Sequence, residues 1–212
     1  NIAAIAETGH AKALWTSVLL SLVSTVICLL LAYPLGLILK KSGMGQKGLL
    51  VFLFVLPMWM NFLLRTMAWQ VLLEKKGVIN TILQSLGFSG LRLINTPAAI
   101  VMGMVYDFLP FMVMPIYNVL AKIDDRVIEA ARDLGANNFQ VFRYIILPLS
   151  VPGIVSGVTM VFVPALTTFV ISNMLGGGKI LLIGNVIEQE FTVGNNWHLG
   201  AGLSLVMMIF IM

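Results

Sequence analysis

Residues 13–39 read ALWTSVLLSLVSTVICLLLAYPLGLIL, a run of 27 residues without Lys, Arg, Asp or Glu. As an α-helix rising about 1.5 Å per residue it reaches about 40 Å, enough to cross a hydrocarbon core about 30 Å thick with tilt or overhang. It is too long for the apolar part of a secretory signal. A single basic residue, Lys12, precedes it, and no small-residue cleavage site follows. The rest of the chain shares this character. Of its 212 residues 59% are hydrophobic and 10% charged, with a mean hydropathy of +0.98. An ordinary soluble domain has about 45–50% apolar and about 25% charged residues. So few charges cannot coat a water-soluble globule, which excludes a soluble enzyme or a disordered chain. The net charge of +4 comes from scattered basic residues rather than a stripe, so no nucleic-acid face is expected. Cys28, the one cysteine, lies inside the first run, so there is neither a disulfide framework nor a cysteine-rich metal site. The chain reads as an all-α, polytopic integral membrane protein.

Four further apolar segments follow. The second covers 48–73, interrupted by Arg65, and the third covers 97–121, interrupted by Asp107. The fourth lies within the uncharged stretch 144–178, whose glycine-rich end reads as loop. The fifth begins at Trp197 and is still apolar at Met212. Residues 1–212 thus read as a single transmembrane domain, expected to be truncated at both ends. Alternate loops carry Lys40, Lys41 and Lys47, then Lys122, Arg126, Arg132 and Arg143; the opposite side carries Lys12, Lys75, Lys76, Arg92 and Lys179. The richer side is expected to face the cytoplasm, which puts the first residues outside and the last inside. An outside start also implies a further helix upstream. Between spans two and three, Val78, Ile82, Leu83 and Leu86 recur at helical spacing between glycines, as in a short helix lying on the membrane surface.

The loop between spans three and four, with residues 122–148 reading KIDDRVIEAARDLGANNFQVFRYIILP, is the most informative. Asp124 or Asp125 can cap a helix start, and Glu129 to Leu134 are compatible with helix. Gly135 can take the left-handed conformation that ends it, and Asn137 or Asn138 can cap the next helix, which runs into Pro148. The result is a helix, a sharp bend and a second helix, with Ala130 and Ala131 giving a small-residue face for a partner's groove.

Glu129-Ala130-Ala131, three residues, Gly135, nine residues, Ile145, one residue, then Leu147-Pro148 resembles the E-A-A signature of ABC importer permeases, matching at every signature position. Three longer stretches, 57–65 (PMWMNFLLR), 108–117 (FLPFMVMPIY) and 174–191 (MLGGGKILLIGNVIEQEF), are similar to spermidine/putrescine permeases, specifically the first of that importer's two permease subunits. The resemblance implies the type I ABC importer permease fold, with five of the family's six spans visible. It implies that 122–146 is the coupling-helix loop, with Glu129, Ala130, Ala131 and Gly135 in the ATPase-coupling element. It also implies two copies of an ATP-binding subunit, a second, homologous permease, an extracytoplasmic substrate-binding protein, and alternating access as the mechanism. Alternatives are the same machine importing an iron complex, sulfate or a phosphonate, or an ion-gradient-driven transporter, against which the E-A-A loop argues.

Gly176-Gly177-Gly178-Lys179 is not a phosphate loop. Asn173 stands where the first glycine belongs, and Ile180 replaces the magnesium-binding hydroxyl. His10 and His198 have no ligand cluster around them, which also disfavours a membrane-bound redox subunit; no metal or other cofactor is expected. Trp15 and Trp197 sit where an interfacial aromatic belt would. Gly153 and Gly157 form a small-xxx-small pair for close helix packing. Prolines 110, 115, 152 and 164 interrupt the spans, which neighbouring groups or a water-filled cavity can re-satisfy. Arg65 and Asp107 are ionisable groups inside spans and so mark a functional site by default. They lie about 12 and about 15 Å from the same ends of their spans, a match that allows a charge pair. The other reading gives Asp107, with Tyr106 and Trp59, to a passing polycation as a carboxylate and π faces.

Overall fold

The computed structural model describes residues 8–41, 52, 56–87, 90, 92–194 and 196–211. Among them every regular element is helical: α1 (Thr8–Lys41), a 3₁₀ turn (Leu56–Trp59), α2 (Phe62–Leu73), α3 (Val78–Ser85), α4 (Pro97–Ala121), α5 (Asp125–Asp133), α6 (Asn138–Thr167), α7 (Val170–Leu175), α8 (Ile183–Thr192) and α9 (Trp197–Ile211). Among the described residues three helices are long and apolar enough to cross a membrane, at Gly9–Lys41, Pro97–Ala121 and Asn138–Thr167, and Trp197–Ile211 is a shorter apolar helix.

Two expected spans need correction. The second is not one helix. Its expected start at Gly48, like Lys47 before it, lies outside the described residues; from Leu56 a 3₁₀ turn leads to a break and then to the 12 residues of α2. Asn61 causes the break, its side chain accepting the Leu63 N–H at 2.8 Å and so starting a new helix. Twelve residues rise only about 18 Å, short of a bilayer core. The fourth span begins earlier than Tyr144, because the helix capped by Asn137 continues into it. Pro148 has no N–H to offer the Tyr144 carbonyl, and just before it Phe142–Ile146 widen into a π-helix in which the Leu147 N–H reaches the Phe142 carbonyl. This span then stops at Thr167 rather than running on, and the chain re-enters helix as α7.

The chain divides into two compact units, the first taking Asn1–Ser24, Met60–Asp107 and Phe162–Met212, the second Thr25–Trp59 and Phe108–Val161. In the first, Ala13, Leu166, Ile183, Val186, Leu203 and Met207 form a buried cluster. Its irregular stretch between α7 and α8 is held by side chains. Ser17 Oγ accepts the Ile183 N–H at 2.7 Å, and Asn185 Nδ2 donates to the Phe169 carbonyl and to Asn173 Oδ1. In the second unit, Cys28, Ala32, Met112, Ile116 and Leu120 are fully buried. There α4 and α6 pack at Gly153 and Gly157: a Cβ on Gly153 would lie 2.9 Å from the Pro115 carbonyl oxygen, and one on Gly157 would lie 2.7 Å from Met112 Sδ.

Candidate functional site

The loop after α4 is built almost entirely from its own residues. Asp124 caps α5, its Oδ1 accepting the Arg126 N–H at 3.0 Å, with Asp125 in the first turn where the helix dipole favours an acid. Gly135 adopts φ +88°, in the left-handed region where glycine carries no Cβ penalty. Two bonds close the helix end around it, from Gly135 N–H to the Arg132 carbonyl at 2.8 Å and from Ala136 N–H to the Ala131 carbonyl at 3.0 Å. This is a complete Schellman closure. Two residues on, Asn137 and Gln140 exchange reciprocal bonds of 2.8 and 2.9 Å, a capping box that starts α6. Arg132 Nη2 spans the bend to Asn138 Oδ1 at 3.2 Å. Glu129 and Ala130 are exposed and Ala131 half-buried. Leu134 is 90% exposed and Phe139 67%, so the bend carries apolar side chains into solvent.

The loop is also tied to α1. Lys40 Nζ pairs with Asp125 Oδ1 at 3.0 Å and donates to the Ile123 carbonyl at 2.9 Å. In the sequence Lys40 marks only topology; 85 positions separate it from Asp125, and no spacing rule joins them.

In the first unit Arg65 Nε lies 3.4 Å from Asp107 Oδ1, with the two side chains 7% and 1% exposed. Thr66, not singled out in the sequence although it adjoins Arg65, donates its hydroxyl to Asp107 Oδ2 at 3.3 Å and to the Phe62 carbonyl. Among the described residues Arg65 Nε and Nη1 and Asp107 Oδ1 have no hydrogen-bond partner, so the pair is held by charge more than by geometry. One residue earlier, about 100° round the helix, Tyr106 is partly exposed and its ring meets Trp69 edge-on at 5.3 Å. Trp59 belongs to the second unit, is 78% exposed and meets Phe52 edge-on at 6.1 Å. Thus Arg65 and Asp107 meet, whereas each candidate aromatic has another ring as its neighbour. Among the described residues no cluster of His, Cys, Asp or Glu could hold a metal ion.

The family of binding-protein-dependent transport system inner membrane components matches residues 32–212, running through both units and the whole loop. The chain belongs to that family. This inner membrane permease is 44% identical over 198 residues to the spermidine/putrescine transport system permease protein PotB of Haemophilus influenzae, covering 92% of this chain and 69% of that protein. It is 40% identical over 211 residues to PotB of Escherichia coli, covering 99% and 77%. In structure the permease resembles a chain of a bacterial alginate ABC transporter crystallised with an alginate pentasaccharide-bound periplasmic protein. The TM-score is 0.76 at 15% identity, over 99% of this chain and 78% of that one. A chain of the MetNI methionine ABC transporter in an inward-facing conformation gives a TM-score of 0.66 at 19% identity, over 95% and 88%. At such identities the likeness concerns the fold, which is the type I importer permease fold. The permease is a transport subunit rather than an enzyme, and it works with an ATP-binding subunit and a substrate-binding protein.

Proposed function

We propose that this permease forms, with a second, homologous permease, the pathway by which an ATP-driven importer carries polyamines. The observation that carries the solute assignment is 40–44% identity to spermidine/putrescine permeases over most of the chain. The loop 122–146 faces the cytoplasm and docks on one of two ATP-binding subunits through Glu129, Ala130, Ala131 and Gly135, while the first residues face outside and the last inside. Support comes from the self-contained caps on either side of the bend, and from Leu134 and Phe139, whose apolar side chains are exposed. ATP-driven closure of those subunits moves the loop and reorients the spans.

Arg65 and Asp107 serve as an internal charge pair that fixes α2 against α4 within the first unit. With Asp107 only 1% exposed, its carboxylate offers a solute almost no surface in this conformation, and a lone pathway arginine would repel a polycation. Tyr106 and Trp59 remain the aromatic faces a polyamine ammonium group would meet. The deciding experiment is uptake by vesicles carrying the whole complex, supplied in turn with spermidine, putrescine, sulfate, a phosphonate and an iron complex. ATP-dependent accumulation of polyamine alone is expected. Accumulation of another solute in its place sinks the polyamine assignment.

A further inference from the structure

Lys40 stands in the last turn of α1, and its ammonium group reaches two other elements at once. It donates to the carbonyl of Ile123, two residues past the end of α4, and pairs with the carboxylate of Asp125, the first residue of α5. One cation therefore joins the ends of three helices. Both charges sit where helix dipoles favour them, the lysine at the C-terminus of α1 and the aspartate at the N-terminus of α5. The two contacts differ in setting: the Lys40 side chain is 18% exposed and that of Asp125 75%, so the carbonyl bond faces inward and the ion pair outward. Between α5 and the end of α1 the surface is not closed. An open groove of about 630 Å³, lined by Leu37, Lys40, Asp125, Glu129, Arg132 and Val141 among others, separates them, so apolar contact alone does not fasten the loop to α1. By contrast α1 is firmly attached to α6. The Tyr33 hydroxyl lies 2.8 Å from Ser150 Oγ, and its ring meets Phe142 of the π-helical turn edge-on.

We propose that Lys40 is a positioning residue for energy coupling: it ties α5 to the ends of α1 and α4, so that displacement of the loop moves those helices rather than closing the groove between them. This rests on the reading of 122–146 as the ATPase-docking loop. A purely structural lysine would affect assembly or thermal stability. A coupling lysine changes the amount of solute moved per ATP in complexes that assemble normally.

The test uses the complete complex in vesicles, measuring polyamine uptake per ATP hydrolysed and the ATP-binding subunit retained through purification. Lys40→Met keeps the apolar stem and should lower uptake per ATP about fivefold with the ATP-binding subunit retained, the equilibrium factor that about 1 kcal/mol carries. Lys40→Arg, which keeps charge and reach, should restore most of the ratio. Asp125→Asn, which removes only the exposed pair, should lower it about twofold. Unchanged uptake per ATP in Lys40→Met overturns the proposal. If Lys40→Met fails to assemble, Asp125→Asn decides: a lowered ratio with normal subunit content supports the tie, and an unchanged ratio overturns it. Glu129→Lys separates the two readings. Retained ATP-binding subunit and full uptake in that variant would refute the docking loop itself. Its loss of the subunit beside a normal Lys40→Met would refute only the role of Lys40.

Discussion

Replacing Gly153 and Gly157 separately with alanine should give different results, although both lie in the same helix-to-helix contact. A Cβ at position 153 would stand 2.9 Å from the Pro115 carbonyl oxygen and 3.0 and 3.1 Å from Cγ2 and Cβ of Val119. The first obstacle is backbone and the second a β-branched side chain with one strongly preferred helical rotamer, so neither can yield locally. The helices must separate, and overpacking of this kind costs about 1–3 kcal/mol. At position 157 the nearest obstacle, at 2.7 Å, is the sulfur of Met112, an unbranched side chain able to swing away. Behind it the Met112 backbone lies at 3.3 and 3.4 Å, a misfit of a few tenths of an ångström. Alanine also gains about 0.8–1.0 kcal/mol over glycine in helix propensity, which offsets a mild misfit but not a severe one. Gly153→Ala should therefore lower the thermal unfolding midpoint of the detergent-purified permease, while Gly157→Ala should leave it within a degree or two or raise it slightly (differences under about 1 kcal/mol). Because the contact lies within one unit of the chain, the loss should appear as destabilised permease, not as weakened subunit association alone. A midpoint lowered as much by Gly157→Ala as by Gly153→Ala would refute the reasoning.

Gly135→Val should uncouple ATP hydrolysis from uptake more than Gly135→Asn. Among the described residues no atom lies within 4 Å of a Cβ there, so the penalty is the left-handed backbone alone, about 1–2 kcal/mol for an ordinary residue and less for asparagine; equal uptake per ATP in the two variants would refute it. Asp107→Asn should strand a buried cation and cost about 3 kcal/mol or more, and adding Arg65→Met should recover most of that loss in the unfolding midpoint. If Asp107→Asn instead assembles and unfolds normally but needs more polyamine for half-maximal uptake, and the double variant does not reverse this, the carboxylate contacts the solute.

The helix, bend and second helix of 122–148 were legible because their determinants are local. Asp124 caps its own helix, Ala131 and Arg132 accept the bonds that close around Gly135, and Asn137 and Gln140 answer one another three residues apart. Each is a short-range rule that can be applied to the letters alone. The first and third spans were equally plain from their apolar length. The second span misled because hydropathy reports burial in an apolar medium and is silent about continuity: 56–64 is apolar throughout except Asn61, and the cap formed by that single side chain breaks the helix. Arg65 and Asp107 could be matched by depth because both spans were counted from the same side. The Thr66 hydroxyl and the Lys40 tie could not, since neither follows from spacing along one helix.

The same contrast bears on mechanism. A chain with 10% charged residues has few groups with which to satisfy helix ends inside an apolar medium, where each unpaired backbone group is costly. Along 168–185 in the first unit it uses distant polar side chains: Ser17 takes the Ile183 N–H, and Asn185 holds the Phe169 carbonyl. Such bonds are made only when two segments lie at one relative position, so movement of either breaks them or carries the other along. The loop 122–146 makes its capping bonds within itself and can move without breaking them. A loop that must take a push should be stiff inside and attached at few points. Under the proposed docking of 122–146, such attachments, above all Lys40 on Asp125 and the Ile123 carbonyl, would carry the push into the membrane helices.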